Sequence, residues 1–506
     1  MKIFFLTVIL AFHISPLFAQ IQWQKCLGGS NDEAANSIQQ TFDGGYIVAG
    51  YSLSNDGDLT VNHGEGDYWV VKLMPSGNIQ WQKSLGGSGD DDGSYIRQTF
   101  DSGYIVAGKS ASDDGDVSGN HGSSDYWVVK LSPSGNIQWQ KSPGGTANDF
   151  ATSIRQTTDS GFIIVGLSNS SDGDVTTNHG NFDYWVVKIA ATGAIQWQKT
   201  FGGSDYEVAT SVRQTLDGGY IVAGYTPSND GDVTGNHGGN DCWIVKLSSS
   251  GSIQWQKCYG GSDNDYAMAI EQTSDSGYIV AGGSNSTDGD VSGNHGSDDC
   301  WILKLSSTGS IQWQECLGGS GSDAAESIQQ TFDGGYIVTG ATYSNDDEVS
   351  GNHGANDFWV VKLSSSGILL WQKCLGGTGN EIAWAIQQTA DGNYIVAGYT
   401  FSNDDDVTGY HRGQDEWVVK LNDITAVNNI TINPVISILP NPTTDIVYIK
   451  GAVPANIQLY NLTGQLIKQA NNADKISLSE LPNGMYFIRL FSNQGELLYQ
   501  DKIVKQ

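Results

Sequence analysis

Positive charge is scarce in this 506-residue chain: 25 Lys and Arg stand against 55 Asp and Glu, a net charge of −30. The deficit is local. From Gln20 to Leu421 there are 49 acids and 18 bases, whereas from Ile436 to Gln506 there are 5 acids and 6 bases. An acidic surface of this kind repels phosphate backbones and anionic membrane, so nucleic acid is not an expected partner. Long apolar runs are also missing after residue 19, so no transmembrane segment is expected. Helical periodicity is absent over any useful length. No nucleophile elbow, clustered metal-ligand motif or phosphate loop stands in the sequence.

The one apolar run, Ile3 to Phe18, follows Lys2 and precedes the small Ala19. That pattern predicts a signal peptide over residues 1–19, cut before Gln20, and an exported, soluble mature protein.

What fills the chain instead is a repeat. Trp23, Trp81, Trp139, Trp197, Trp255, Trp313 and Trp371 are each 58 residues apart. A fixed period of this length marks a repeat architecture. Each unit offers short runs rich in Ile, Val, Tyr and Trp, bounded by Gly, Asn and Asp, which is strand and turn chemistry. In the first unit the strands are expected at Ala35–Thr41, Tyr46–Ser52, Asp67–Leu73 and Asn78–Leu85. Phe42-Asp43-Gly44-Gly45 and Pro75-Ser76-Gly77 supply tight turns. Four antiparallel strands repeated seven times over residues 20–421 predict an all-β, seven-bladed β-propeller rather than an open β-solenoid. The mature chain begins with an outer-strand sequence, and the seventh unit stops one strand short at Leu421. The N-terminal strand is therefore expected to close the last blade and remove two free sheet edges.

After a polar linker, 422–435, the pattern changes. Pro440-Asn-Pro-Thr-Thr-Asp445 is followed by Ile457-Gln-Leu-Tyr-Asn-Leu-Thr-Gly-Gln-Leu-Ile-Lys468, then Leu481-Pro-Asn-Gly-Met-Tyr-Phe-Ile-Arg-Leu490 and Lys502-Ile-Val-Lys505. The alternation predicts a small β-sandwich over 436–506. These motifs resemble the type A C-terminal sorting domain of the bacterial type IX secretion system. The resemblance implies export across both membranes, contact with the type IX machinery, and a protein anchored at the outer cell surface or released. The repeats resemble secreted propeller repeats joined to such domains, which brings no activity with it.

Within each unit, the long loop and the inter-blade loop should share one face of the ring, and the tight turns the other. Lys72 and its counterparts fall near the turn face, so the loop face is expected to be the acidic one. The loop carries paired acids: Asp56 and Asp58, Asp114 and Asp116, Asp172 and Asp174, Asp230 and Asp232, Asp288 and Asp290, Asp346 and Glu348, Asp404 and Asp406. Short acidic loops can hold Ca²⁺ through several oxygens. The same residues also form turns by bonding to nearby backbone N–H groups. One His per unit stands four residues before an Asp: His63 and Asp67, His121 and Asp125, His179 and Asp183, His237 and Asp241, His295 and Asp299, His353 and Asp357, His411 and Asp415. Spread around a ring, these read as loop braces rather than as a zinc or catalytic site. Two tryptophans per unit, such as Trp69 and Trp81, read as core. Cys242 with Cys258, and Cys300 with Cys316, are expected to lie directly cross-strand, either as disulfides or as small buried thiols.

Residues common to all blades serve the blade, so a specific site is sought where the blades differ. At the start of the inner strand the equivalent residues are Asn36, Ser94, Thr152, Thr210, Met268, Glu326 and Trp384. Trp384 departs in bulk and Glu326 in charge, and Tyr410 and Arg412 depart in the last long loop. These residues point to a ligand surface near the sixth and seventh blades. Three functions follow: a non-catalytic protein binding a glycan or protein, a passive surface spacer, or a carbohydrate-active enzyme using paired carboxylates.

Overall fold

In the computed structural model the described residues are 19–423 and 437–505, apart from 442, 451–453, 462–465, 472 and 492–496. The expected signal peptide up to residue 18 and most of the linker lie outside them. The chain divides into two units, residues 1–424 and 425–506.

The first unit is a ring of seven four-stranded antiparallel sheets. Strand β1 is Ile21–Leu27. The first blade is then β2 (Glu33–Gln40), β3 (Tyr46–Ser52), β4 (Asp67–Leu73) and β5 (Ile79–Leu85). Blades two to six follow as β6–β9 (91–141), β10–β13 (149–201), β14–β17 (208–259), β18–β21 (265–317) and β22–β25 (323–375). The seventh is β26–β28 (381–421), completed on its outer edge by β1, which pairs antiparallel with β28 from Ile21↔Leu421 to Leu27↔Glu416. The fold is thus a seven-bladed β-propeller closed by its N-terminal strand.

The inner strand starts at Glu33, two residues before the expected Ala35. The Glu33 N–H donates to Gln414 O at 2.7 Å, and its buried carboxylate accepts from Gly29 N and Ser52 Oγ at 2.8 and 2.7 Å. The outer strand starts one residue late, because Asn78 O still serves the turn by accepting from Met74 N. In the second blade, β9 stops at Lys141, ahead of Ser142-Pro143, where proline has no N–H for the ladder.

Strands such as β4 are buried along their whole length because both sheet faces meet neighbouring blades. Tyr68 and Val70 of the first blade pack with Ile96, Val106, Trp127 and Val129 of the second. The closing interface repeats this, with Ile395, Ala397 and Val418 against Val48, Trp69 and Val71. Each inner tryptophan also places its indole N–H: Trp69 donates to Gln82 Oε1 at 3.2 Å, and Trp417 donates across the closure to Gln24 Oε1 at 2.8 Å.

The register corrects the expected cysteine pairing. Cys242 faces Tyr259, and Cys258 faces Trp243. Likewise Cys300 faces Leu317, and Cys316 faces Trp301. A register shift at Lys246/Leu247 and Lys304/Leu305 moves the outer strand by one residue, which a symmetric count about the turn cannot see. A one-residue offset puts the two thiols of each pair on opposite faces of the sheet. Accordingly Cys242 and Cys258 belong to different inter-blade cores, and all six cysteines are buried free thiols.

The second unit holds two sheets. One is β29 (Ser437–Leu439), β30 (Ile446–Lys450) and β33 (Lys475–Ser477). The other orders β32 (Leu466–Asn471), β31 (Asn456–Tyr460), β34 (Gly484–Phe491) and β35 (Leu497–Lys505). Val447 and Ile476 of the first share one apolar core with Leu459, Ile488 and Ile503 of the second.

Candidate functional site

The inner strand of every blade carries a β-bulge at the same place. The register skips Asn36, Ser94, Thr152, Thr210, Met268, Glu326 and Trp384 in turn. A bulge leaves one residue unpaired and re-aims its side chain. The partner strand accommodates it with glycine: a Cβ on Gly50 would lie 1.6 Å from Ala34 O.

A cavity of about 170 Å³ on the ring axis is lined by inner-strand residues of all seven blades, including Trp384, Glu326 and Met268. Three other bulge residues tie blades together. Asn36 Nδ2 donates to Asp92 Oδ1 at 3.0 Å, Thr152 Oγ1 to Ala209 O at 2.7 Å, and Thr210 Oγ1 to Ala267 O at 2.8 Å. Burial lifts the Glu326 carboxyl to about 8, so it is largely protonated at neutral pH. Tyr410 and Arg412 do not line this cavity. Tyr410 is engaged in its own loop, where its hydroxyl donates to Gly413 O.

The channel also holds residues the sequence reading passed over. Arg97, Arg155 and Arg213 occupy one repeat position in three successive blades, and all three line the cavity. They are three of the chain's five arginines. Their 58-residue spacing in so acidic a chain was a readable signal. Elsewhere the same position makes an inter-blade bond: Gln39 Oε1 accepts from Gln98 N at 2.7 Å, Gln329 Oε1 from Gln388 N at 2.6 Å, and Gln387 Oε1 from Gln40 N at 2.6 Å. Glu271 accepts from Gln330 N at 3.4 Å and pairs with Arg213 at 3.3 Å. Arg97 and Arg155 stack on Tyr95, 4.0 and 4.2 Å from its ring centre. Burial opposes ionisation of Tyr95, but Arg155, Arg97 and Arg213 outweigh it and bring the phenol down to about 8.

Outside the channel the recurring polar residues hold the loops. His63 Nδ1 lies 2.7 Å from Asp67 Oδ2, which also accepts the His63 N–H at 2.9 Å. The same contact runs through His121–Asp125, His179–Asp183, His237–Asp241, His295–Asp299, His353–Asp357 and His411–Asp415, at 2.6 to 2.9 Å. The first loop acid reaches into the inter-blade loop of its own blade. Asp56 accepts from Ser30 N, Asp114 from Ser88 N, Asp172 from Thr146 N, Asp230 from Ser204 N, Asp288 from Ser262 N, Asp346 from Ser320 N and Asp404 from Thr378 N. The second acid fastens the loop through its backbone: Asp58, Asp116, Asp174, Asp232, Asp290, Glu348 and Asp406 donate their N–H groups to Gly28, Gly86, Gly144, Gly202, Gly260, Gly318 and Gly376. Among the described residues, no three His, Cys, Asp or Glu side chains converge where a metal ion would fit.

On the turn face every hairpin aspartate meets a buried lysine, as in Lys72–Asp43 at 3.0 Å and Lys420–Asp391 at 3.1 Å. The paired loop acids meet no lysine of this kind.

Residues 437–506 match the secretion system C-terminal sorting domain. The protein is therefore exported, to the cell surface or beyond it, by way of the type IX machinery its sorting domain engages. One curated relative is a regulatory protein, FlaEY, of Caulobacter vibrioides, 24% identical over 220 residues, or 40% of this chain and 23% of that protein. The chain thus spans less than a quarter of that relative's length. Among solved structures, the Pan2 WD40 domain of Neurospora crassa is 10% identical with a TM-score of 0.41, covering 79% of this chain and 96% of that one. BamB of Moraxella catarrhalis is 13% identical with a TM-score of 0.35, covering 96% and 100%. No helix among the described residues is long and apolar enough to cross a membrane.

Proposed function

We propose that the exported ring is a non-catalytic binding protein that takes a glycan or protein ligand at its central channel. One observation carries this reading. The recurring loop acids and histidines are engaged in fastening their own blades, whereas the unlike residues Trp384, Glu326 and Met268 line the axial cavity. Trp384 offers a partly exposed indole for stacking, and a protonated Glu326 offers a donor. The test is a glycan and protein array probed with the full mature chain and with Trp384→Ala. Loss of a ligand on Trp384→Ala supports the reading. A ligand held equally by Trp384→Ala and Glu326→Gln places binding elsewhere on the ring.

A second reading rests on Glu326 and Glu271, two carboxyls lining one cavity, one held neutral by burial and one paired with Arg213. Glycoside hydrolysis uses such a pair. Release of chromophore from aryl glycosides, abolished by Glu326→Gln, would favour this reading over simple binding.

A further inference from the structure

From the channel geometry we infer that Arg97, Arg155 and Arg213 form an oxyanion-binding site, taking a sulfate, phosphate or carboxylate group either as a free anion or as the acidic group of a saccharide. This inference rests on the reading of the channel as the ligand site and specifies its chemistry.

The arginines converge. The ring carries 49 acids, yet three of its arginines gather along one arc of the channel. Arg97 and Arg155 both lie within 4.2 Å of the Tyr95 ring centre, so their guanidiniums are at most about 8 Å apart. Cations this close on one cavity attract an anion into it, and planar guanidinium forks match oxyanion geometry.

Carboxylate countercharge is missing beside two of them. Arg213 has Glu271 at 3.3 Å, and neither Arg97 nor Arg155 has a carboxylate in ion-pair reach among the described residues. Arg97 instead donates to Ser37 Oγ and Ile96 O, at 3.2 and 2.7 Å, and to the Tyr95 hydroxyl, and Arg155 donates to Ile154 O at 3.1 Å. The carbonyls and the serine carry no charge, and Tyr95, with its phenol at about 8, supplies only a fraction of one negative charge near neutral pH. Glu326, held protonated, supplies none near neutral pH.

The blades also forgo a structural bond to place these residues. Gln39, Gln329 and Gln387 each accept an N–H of the next blade at this position. Arginine has no acceptor to offer, so Gln156, Gln214 and Gln272 receive no such bond from it. Three successive blades depart in the same way toward the same charge. The cavity, at about 170 Å³, has room for about five or six waters, and so for a small anionic group.

The experiment uses the full mature chain in chloride buffer, titrated calorimetrically with sodium sulfate, with a sulfated disaccharide and with its unsulfated parent. The expected result is saturable binding of a sulfate-bearing probe that weakens as NaCl is raised. It should weaken by about tenfold or more in Arg97→Gln and in Arg155→Gln. Glutamine is the residue that the first, sixth and seventh blades carry at this position, so these variants should remain folded, which circular dichroism checks. Sulfate binding as well as the sulfated sugar identifies a free anion; the sugar alone binding identifies an acidic saccharide. Equal binding of the unsulfated sugar, lost in Trp384→Ala but not in the arginine variants, overturns the anion site and leaves the channel reading standing. Sulfate-bearing probes that do not bind, or that bind undiminished in folded Arg97→Gln/Arg155→Gln, overturn it outright.

Discussion

Replacing Arg155 by glutamine should stabilise the ring, although it removes a site residue. Arg155 sits in a poor place for a cation. Burial, with Arg213 next, pushes its guanidinium well below the usual arginine range, and Arg97 adds to this. The Arg155→Gln change forfeits a hydrogen bond to Ile154 O and a stack on Tyr95, about 1 kcal/mol each. It regains an inter-blade bond to the Gln214 N–H, about 1 kcal/mol. It also removes repulsion from Arg97, which at about 8 Å and an effective dielectric of about 20 is about 2 kcal/mol. Arg213 repels Arg155 more strongly than Arg97 does, but the attraction of Tyr95, which ranks between the two, offsets most of that. The net is a gain of about 1 to 2 kcal/mol. With an unfolding entropy of about 2 cal/mol/K per residue over roughly 400 residues, Tm should rise by about 1 to 2 °C. Scanning calorimetry at low salt, without sulfate or phosphate, reads this directly. A Tm lowered by 1 °C or more would show that Arg155 is a structural asset, and the inter-blade bond forgone at this position would then not speak for an anion site. With saturating sulfate the gap should narrow or close, because a site tenfold weaker gains about 1.4 kcal/mol less from the ligand.

The remaining predictions concern the ring itself. Gly50→Ala places a methyl 1.6 Å from Ala34 O, so the bulge must distort; a loss of about 3 kcal/mol or more is expected in urea unfolding, and a loss under 1 kcal/mol would mean the bulge yields freely. Glu416 is fully buried with both carboxylate oxygens unpartnered, at the position where Tyr68, Tyr126 and Tyr184 donate to a carbonyl of the next blade. Glu416→Tyr should therefore raise Tm by a few degrees, and an unchanged Tm would refute the assignment of this residue as a weak point in the closure. Burial raises Asp125, Asp241 and Asp357 to about 6 in the folded ring, against about 3.8 unfolded. A carboxyl with a raised folded value contributes stability that is full below about 3.8 and lost as pH rises through about 6. Thermal scans should thus give a higher Tm at pH 5 than at pH 8, and the opposite order would show that these aspartates remain ionised in the fold.

The fold was legible because its causes are local and repeated. Alternating apolar residues between Gly- and Asp-rich turns define four strands, and seven copies with a split last unit require closure. The cysteine register was not legible. It depends on a register shift at Lys246/Leu247, and nothing in the local sequence distinguishes a shifted strand from one paired straight across the turn. The bulge at Asn36 and its counterparts was hidden for the same reason, since its evidence lies in Gly50 across the strand pair. Trp384, Glu326 and Met268 could be found by comparing unit with unit. Tyr410 and Arg412 were found in the same way, yet the fold takes them to a loop that the cavity does not touch.

Difference between repeats is therefore an incomplete guide, and the hydrogen bonds supply what is missing. At the Tyr68 position, later blades carry Cys242 and Cys300, then Phe358 and Glu416, three residue types that share no charge or hydrogen-bonding role. That is the pattern expected of drift, where a bond is lost and nothing converges in its place. At the Gln39 position, three successive blades lose the same bond and gain the same charge, aimed at one cavity. Mutual repulsion among these half-buried cations opposes their gathering. A departure that gives up an inter-blade bond and still points one way fits service to something other than the blade, and the chemistry three converging guanidiniums fit is an anion on the axis.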